Sequence, residues 1–164
     1  MTKVFIDGSA GTTGLRIHER LAERSDLQLL ILPDEVRKDP AARHDMLKEA
    51  DVAFLCLPDA AAIEAVELAK GCDVSIIDTS TAHRTNPAWA YGFAELGNRR
   101  AEIAASRRVA NPGCHASGFL ALVEPLVSAG LIAPDTSLSC FSLTGYSGGG
   151  KKMIAEYEGE ELAK

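Results

Sequence analysis

Positive charge is the scarce class in this chain: 17 Lys and Arg stand against 23 Asp and Glu, a formal net charge of -6 over 164 residues. That balance argues against nucleic acid or an anionic membrane surface as a partner. Long apolar runs are lacking as well. None approaches the about 20 residues that a membrane-spanning helix needs. Met1-Thr2-Lys3 leads directly into Val4-Phe5-Ile6 without a signal-peptide pattern, so a cytoplasmic protein is expected. Cysteine is sparse and dispersed. Cys56, Cys72, Cys114 and Cys140 make no CxxC pair and no metal-ligand spacing, which points away from a disulfide framework and from a bound metal.

What is present is an alternation of short apolar runs and helical patterns. Val4-Phe5-Ile6, Leu27 to Leu32, Val52 to Leu57 and Val74 to Ile77 read as strands. The nearly continuous apolar run of Leu27 to Leu32 suits a strand buried on both faces. Helices are expected from Gly14 through Ala22, from Pro40 to Glu49 and from Ala60 to Lys70 with Gly71 as a stop. Thr85 to Leu96 reads as a structured loop, followed by a basic helix leading to Val109-Ala110. This order indicates an α/β fold, a doubly wound parallel sheet of the Rossmann-like kind. Ligands bind such sheets at the carboxyl ends of the strands, so Asp7 to Gly14, Pro58-Asp59 and Asp78 to Arg84 are expected at one rim. Beyond a boundary near Gly113 the pattern changes to a helix, one longer strand over Ser137 to Tyr146 and a final helix. A dinucleotide-binding domain over 1–112 and the incomplete start of a second, α+β catalytic domain over 113–164 follow from this. One lone strand cannot close a core, so this second part is expected to need further chain or a partner. The acidic stretch Glu156 to Glu161 reads as a solvated helix face.

Gly8-Ser9-Ala10-Gly11-Thr12-Thr13-Gly14 follows a strand and opens a helix, with GxxGxxG spacing. Glycines at such a turn let the backbone approach a pyrophosphate, whose charge rests on the helix start. A ligand-free tight turn would use the same residues, but three glycines with two threonines favour a nucleotide. Asp34 and Glu35 lie where an acidic residue would hold the ribose of NAD; Arg37, Lys38 and Arg43 lie where a 2′-phosphate would be neutralised. The residues leave that choice open. Pro58 at the rim, and Gly148 and Gly149 in a second glycine-rich loop from Gly145 to Lys151, are further candidates for the cofactor. That loop lacks the spacing of a P-loop.

Asn111-Pro112-Gly113-Cys114-His115 sets a cysteine at a helix start, where unpaired N–H groups and the dipole favour a thiolate. Packing is the alternative use of such a cysteine. A nicotinamide and a thiolate together define thioester chemistry: attack on an activated acyl group, then reduction by hydride. His115 is adjacent, but neighbouring helix residues point about 100° apart, so it biases local charge rather than acting as the base. Ser80 and Arg84, with Asn111, are candidates for an anionic substrate group.

Taken in order, these blocks resemble the N-acetyl-gamma-glutamyl-phosphate reductase family in its shorter bacterial form. The blocks are Phe5 to Gly8 with Ala10 to Gly14, Cys56 to Asp59, Ser80 to Arg84, Tyr91 to Phe93, Asn111 to Cys114 and Gly145 to Lys151. The resemblance implies NADPH-dependent reduction of a small acyl-phosphate substrate to N-acetylglutamate semialdehyde in arginine biosynthesis, with Cys114 as nucleophile and Gly8 to Gly14 as the cofactor loop. It tips the cofactor to NADP(H) and implies a homo-oligomer when full length. Two alternatives accompany it: a catalytically incomplete NADP-binding unit, and a related enzyme acting on aspartyl phosphate. Ser9, His115-Ala116 and Leu143-Thr144 depart from the family pattern. None of His18, His44, His83 or His115 matches the family's acid/base histidine, which is expected beyond Lys164.

Overall fold

The structure, a computed structural model, describes residues 1–159. Glu160 and Glu161 of the acidic stretch lie outside them. Six strands form one parallel sheet: β1 (Thr2–Asp7), β2 (Leu27–Leu30), β3 (Val52–Leu55), β4 (Ser75–Asp78), β5 (Ala90–Tyr91) and β6 (Arg108–Ala110), in the order β2-β1-β3-β4-β6-β5. Helices α1 (Thr12–Ala22), α2 (Pro40–Glu49), α3 (Asp59–Leu68) and α4 (Arg99–Ala105) connect them. The Pro40 start of α2 is capped by Asp39, whose carboxylate accepts the Ala42 N–H at 3.1 Å.

The core lies where β1, β3 and β4 meet α2 and α3. Phe5, Leu47, Leu55, Val74 and Ile76 are fully buried, and the alanines Ala62, Ala65 and Ala69 let α3 pack closely. After β2 the chain crosses back over β1 to form β3, so the sheet's strand order reverses between β1 and β3. The crevice at their carboxyl ends is where ligands bind in such sheets.

Two expectations fail here. The run from Leu27 is an edge strand with only β1 beside it; Gln28 is exposed and Ile31 is 65% exposed. An apolar run alone does not distinguish a central strand from an edge strand. The stretch Ser137 to Tyr146 forms no strand, since a strand exists only against a partner and the sheet already ends at β5. It runs as an irregular segment into a 3-10 turn (Tyr146–Gly149) and α6 (Gly150–Glu158). Conversely, β5 and β6 are strands too short to show periodicity. After β6 comes α5 (Cys114–Ser128), which buries none of its residues.

Candidate active site

Each end of the site begins with a glycine. Gly11 is the N-cap of α1 and Gly113 the N-cap of α5, and neither helix start is capped by a side chain. The first N–H groups of both helices are therefore open to an anion. Gly8 (φ +86°) makes the turn before α1, and its carbonyl accepts the Gly11 N–H at 3.0 Å. A Cβ on Gly8 would lie 2.3 Å from the Cys56 carbonyl oxygen, and one on Gly14 would lie 2.3 Å from the Gly8 oxygen. Two of the three glycines thus serve close approach within the protein, and Gly11 remains at the helix start.

One cavity of about 260 Å³ sits at the switch point. Gly8, Ser9, Ala10 and Gly11 line it together with Pro58, Asp34, Arg37 and Lys38. The cations proposed for a 2′-phosphate divide. Arg37 pairs with Asp34 at 3.3 Å and stays at the cavity, whereas Arg43 is buried between Asp7 and Glu64 and does not line it. Cys56 also borders this cavity; burial pushes its thiol up to about 11, so it stays protonated.

A second cavity of about 530 Å³ brings together Cys114, Arg84, Asn111, Thr13 and Gly148. Cys114 is exposed at the first position of α5. Residues from three distant stretches thus meet around one thiol. Arg84 is held in place: its Nε donates to the Asn111 carbonyl at 3.0 Å and its Nη2 to the Thr79 carbonyl at 3.0 Å. These bonds remove the free fork expected for a bidentate substrate contact and leave Nη1, which lies against Gly113. The loop that carries Arg84 is clamped throughout. Thr81 donates N–H and hydroxyl to Asp59, holding that carboxyl below the usual range.

Ser80 is placed apart from the cavity. It is buried, its hydroxyl donates to Asp78 Oδ2 at 2.7 Å, and it accepts the Ala82 N–H, so its polar atom serves the loop rather than a substrate. His83 bonds the same Asp78 oxygen through Nδ1 at 2.6 Å and stacks on Trp89 with ring centroids 4.1 Å apart. Gly149 and Gly14 line neither cavity; Thr12 supplies the first backbone N–H of α1. His115 borders the cysteine cavity and is bonded to Ser142 and, at 2.8 Å, to Thr144. His44 bonds the Leu68 carbonyl, and His18 borders a small apolar cavity behind β2.

Residues 33–105 match the family described as semialdehyde dehydrogenase, NAD binding domain, and residues 114–164 match semialdehyde dehydrogenase, dimerisation domain. An N-acetyl-gamma-glutamyl-phosphate reductase of Chelativorans sp. is 54% identical over 96% of this chain and 51% of its own length. Among solved structures, aspartate semialdehyde dehydrogenase II of Vibrio cholerae superposes with a TM-score of 0.68 at 19% identity, over 99% of this chain and 52% of that one. Aspartate semialdehyde dehydrogenase of Candida albicans, solved with NADP, superposes with a TM-score of 0.54 at 14% identity over 78% and 47%. The chain spans about half the length of the curated relatives it matches.

Proposed function

The chain belongs to the semialdehyde dehydrogenase family, and from that premise we propose that it reduces an acyl phosphate with NADP(H) through a thioester on Cys114. The substrate of this reading is N-acetylglutamyl 5-phosphate and the product N-acetylglutamate 5-semialdehyde, a step of arginine biosynthesis in the cytoplasm. Sequence identity of 54% to reductases of that name supports it over aspartyl phosphate, since the aspartate semialdehyde dehydrogenases share the fold at 14–19% identity. The observation that carries the reading is the shared cavity of Cys114, Arg84, Asn111 and Thr13 beside the glycine turn.

The residues present fit the cofactor. The uncapped start of α1 receives a pyrophosphate, and Arg37 and Lys38 stand at the same cavity for a 2′-phosphate. NADPH held there supplies the hydride that reduces the thioester. Cys114 attacks the acyl carbon as a thiolate; the carbon–sulfur bond forms, the bond to the phosphate oxygen breaks, and phosphate leaves. Backbone N–H groups at the start of α5 face the oxygen that becomes negative, a fixed donor set needing no reorganisation. Arg84, locked by two backbone carbonyls, presents Nη1 to the phosphate group. Once the thioester is reduced, the tetrahedral oxyanion collapses to the aldehyde and returns the thiolate.

Residues 1–112 hold the dinucleotide in this reading and 113–164 open the catalytic part. The exposed Leu122, Leu131, Phe141 and Leu143 on that second stretch support a homo-oligomer of the full-length protein. The test is mass spectrometry after incubation with N-acetylglutamyl phosphate. An acyl mass on Cys114, absent in Cys114→Ser, is expected, with NADPH oxidation falling on the order of a thousandfold or more in that variant. An unmodified Cys114 with the acyl phosphate intact refutes the reading, and acylation by aspartyl phosphate alone reassigns the substrate.

A further inference from the structure

Asp7 ends β1 and stands directly before the glycine turn, lining the same cavity as Gly8 to Gly11. A carboxylate there opposes the negative charge of a pyrophosphate. It is also 3% exposed, where an unpaired charge is costly. Arg43 reaches it from α2 and is itself 5% exposed. Nε and Nη2 of Arg43 both donate to Asp7 Oδ2, at 3.0 and 2.9 Å; Nη1 donates to Glu64 at 3.1 Å and Nη2 to the Ala61 carbonyl at 3.4 Å. The Asp7 carboxylate in turn accepts the Gly8 N–H. A continuous set of contacts therefore runs from α2 through Arg43 and Asp7 into the turn whose Gly8 carbonyl holds Gly11.

We propose that Arg43 is a positioning residue for the dinucleotide: without touching it, the guanidinium cancels the Asp7 charge behind the pyrophosphate turn and fixes the turn from below. The inference rests on the cofactor reading above. The other groups facing Asp7 do not replace Arg43. Glu64 from α3 adds negative charge, and the Cys56 thiol beside β3 stays neutral. Removing Arg43 leaves a buried carboxylate beside the ligand's phosphates; removing both partners leaves neither charge.

The test measures the dissociation constant of NADPH by its fluorescence, with a thermal melt for each protein. Arg43→Gln is expected to weaken binding on the order of tenfold, the scale Coulomb's law gives for one uncompensated charge near a pyrophosphate at a partly hydrated site. Arg43→Lys, which keeps the charge, falls between that variant and the unmodified protein. Asp7→Asn combined with Arg43→Gln recovers binding to within about threefold of the unmodified protein, because Asn still accepts the Gly8 N–H and the buried charge beside the turn is gone, leaving only the half-exposed Glu64 without its partner. A merely structural role gives the opposite pattern, in which the double variant binds no better than Arg43→Gln and melts lower. That result overturns the inference and leaves the cofactor reading standing, as does unchanged binding by a folded Arg43→Gln. No binding by the unmodified protein overturns both.

Discussion

Gly8 and Gly71 make a controlled pair for measuring what close backbone approach is worth at the nucleotide turn. Both are left-handed, with φ of +86° and +81°. A Cβ at Gly71 meets nothing within 4 Å; at Gly8 it lies 2.3 Å from the Cys56 oxygen and 2.9 Å from its carbonyl carbon. The left-handed conformation costs an L-residue about 1–2 kcal/mol, partly offset by about 0.4–1 kcal/mol from the stiffer unfolded chain. Gly71→Ala is therefore expected to destabilise by about 1 kcal/mol. Gly8→Ala carries the same backbone cost and must also displace the main chain just beyond β3, an overpacking cost of typically about 1–3 kcal/mol. Urea unfolding of the two variants should differ by at least about 1 kcal/mol at equal m-values. NADPH binding should be lost in Gly8→Ala and kept in Gly71→Ala. Equal midpoints, or a Gly8→Ala protein that binds NADPH normally, would show that the approach of the turn to Cys56 carries no such weight.

Thiol labelling should separate the four cysteines by environment. Cys114 and Cys140 are exposed and should react first, while Cys56, half-buried with its thiol pushed up to about 11, should react last; a Cys56 labelled as fast as Cys114 contradicts the site. A second test concerns acid stability. Burial raises the Asp7 carboxyl above its ordinary value despite Arg43, so the folded state binds this proton more tightly than the unfolded chain. Its contribution is present below the unfolded value and is lost as pH rises through the raised one. From about pH 4 upward, the unmodified protein should therefore lose stability relative to Asp7→Asn. A stability difference independent of pH in that range would refute this account.

Much of the architecture was legible because it is written in local patterns. The glycine turn after β1, the Pro40 start of α2 and the Cys114 start of α5 all sit where sequence places them. Pairing was not legible, since it depends on residues far away: Leu27–Leu30 became an edge strand, and Ser137 to Tyr146 had no strand to pair with. At the site, Cys114, Arg84 and Asn111 converge from the chain that follows β4 and β6, and Gly148 joins them from a turn that no strand precedes. Ser80 does not, because Asp78 claims its hydroxyl, and nothing local announces that a buried carboxylate lies two residues away in reach. Arg43 looked equivalent to Arg37 and Lys38; only the packing of α2 against β1 and α3 separates them.

The glycine starts of α1 and α5 have an effect on competition as well as on binding. Neither α1 nor α5 carries an acidic residue in its first turn, whereas α3 has Asp59, α4 has Glu102 and α2 is capped by Asp39. In a chain of net charge -6, the first turns of α1 and α5 add no carboxylate of their own to the cavities they border. Backbone N–H groups at such helix starts favour small anions. Orthophosphate and sulfate are therefore expected to compete with NADPH at the α1 start, and an NADPH titration in phosphate buffer should report a weaker dissociation constant than one in phosphate-free buffer.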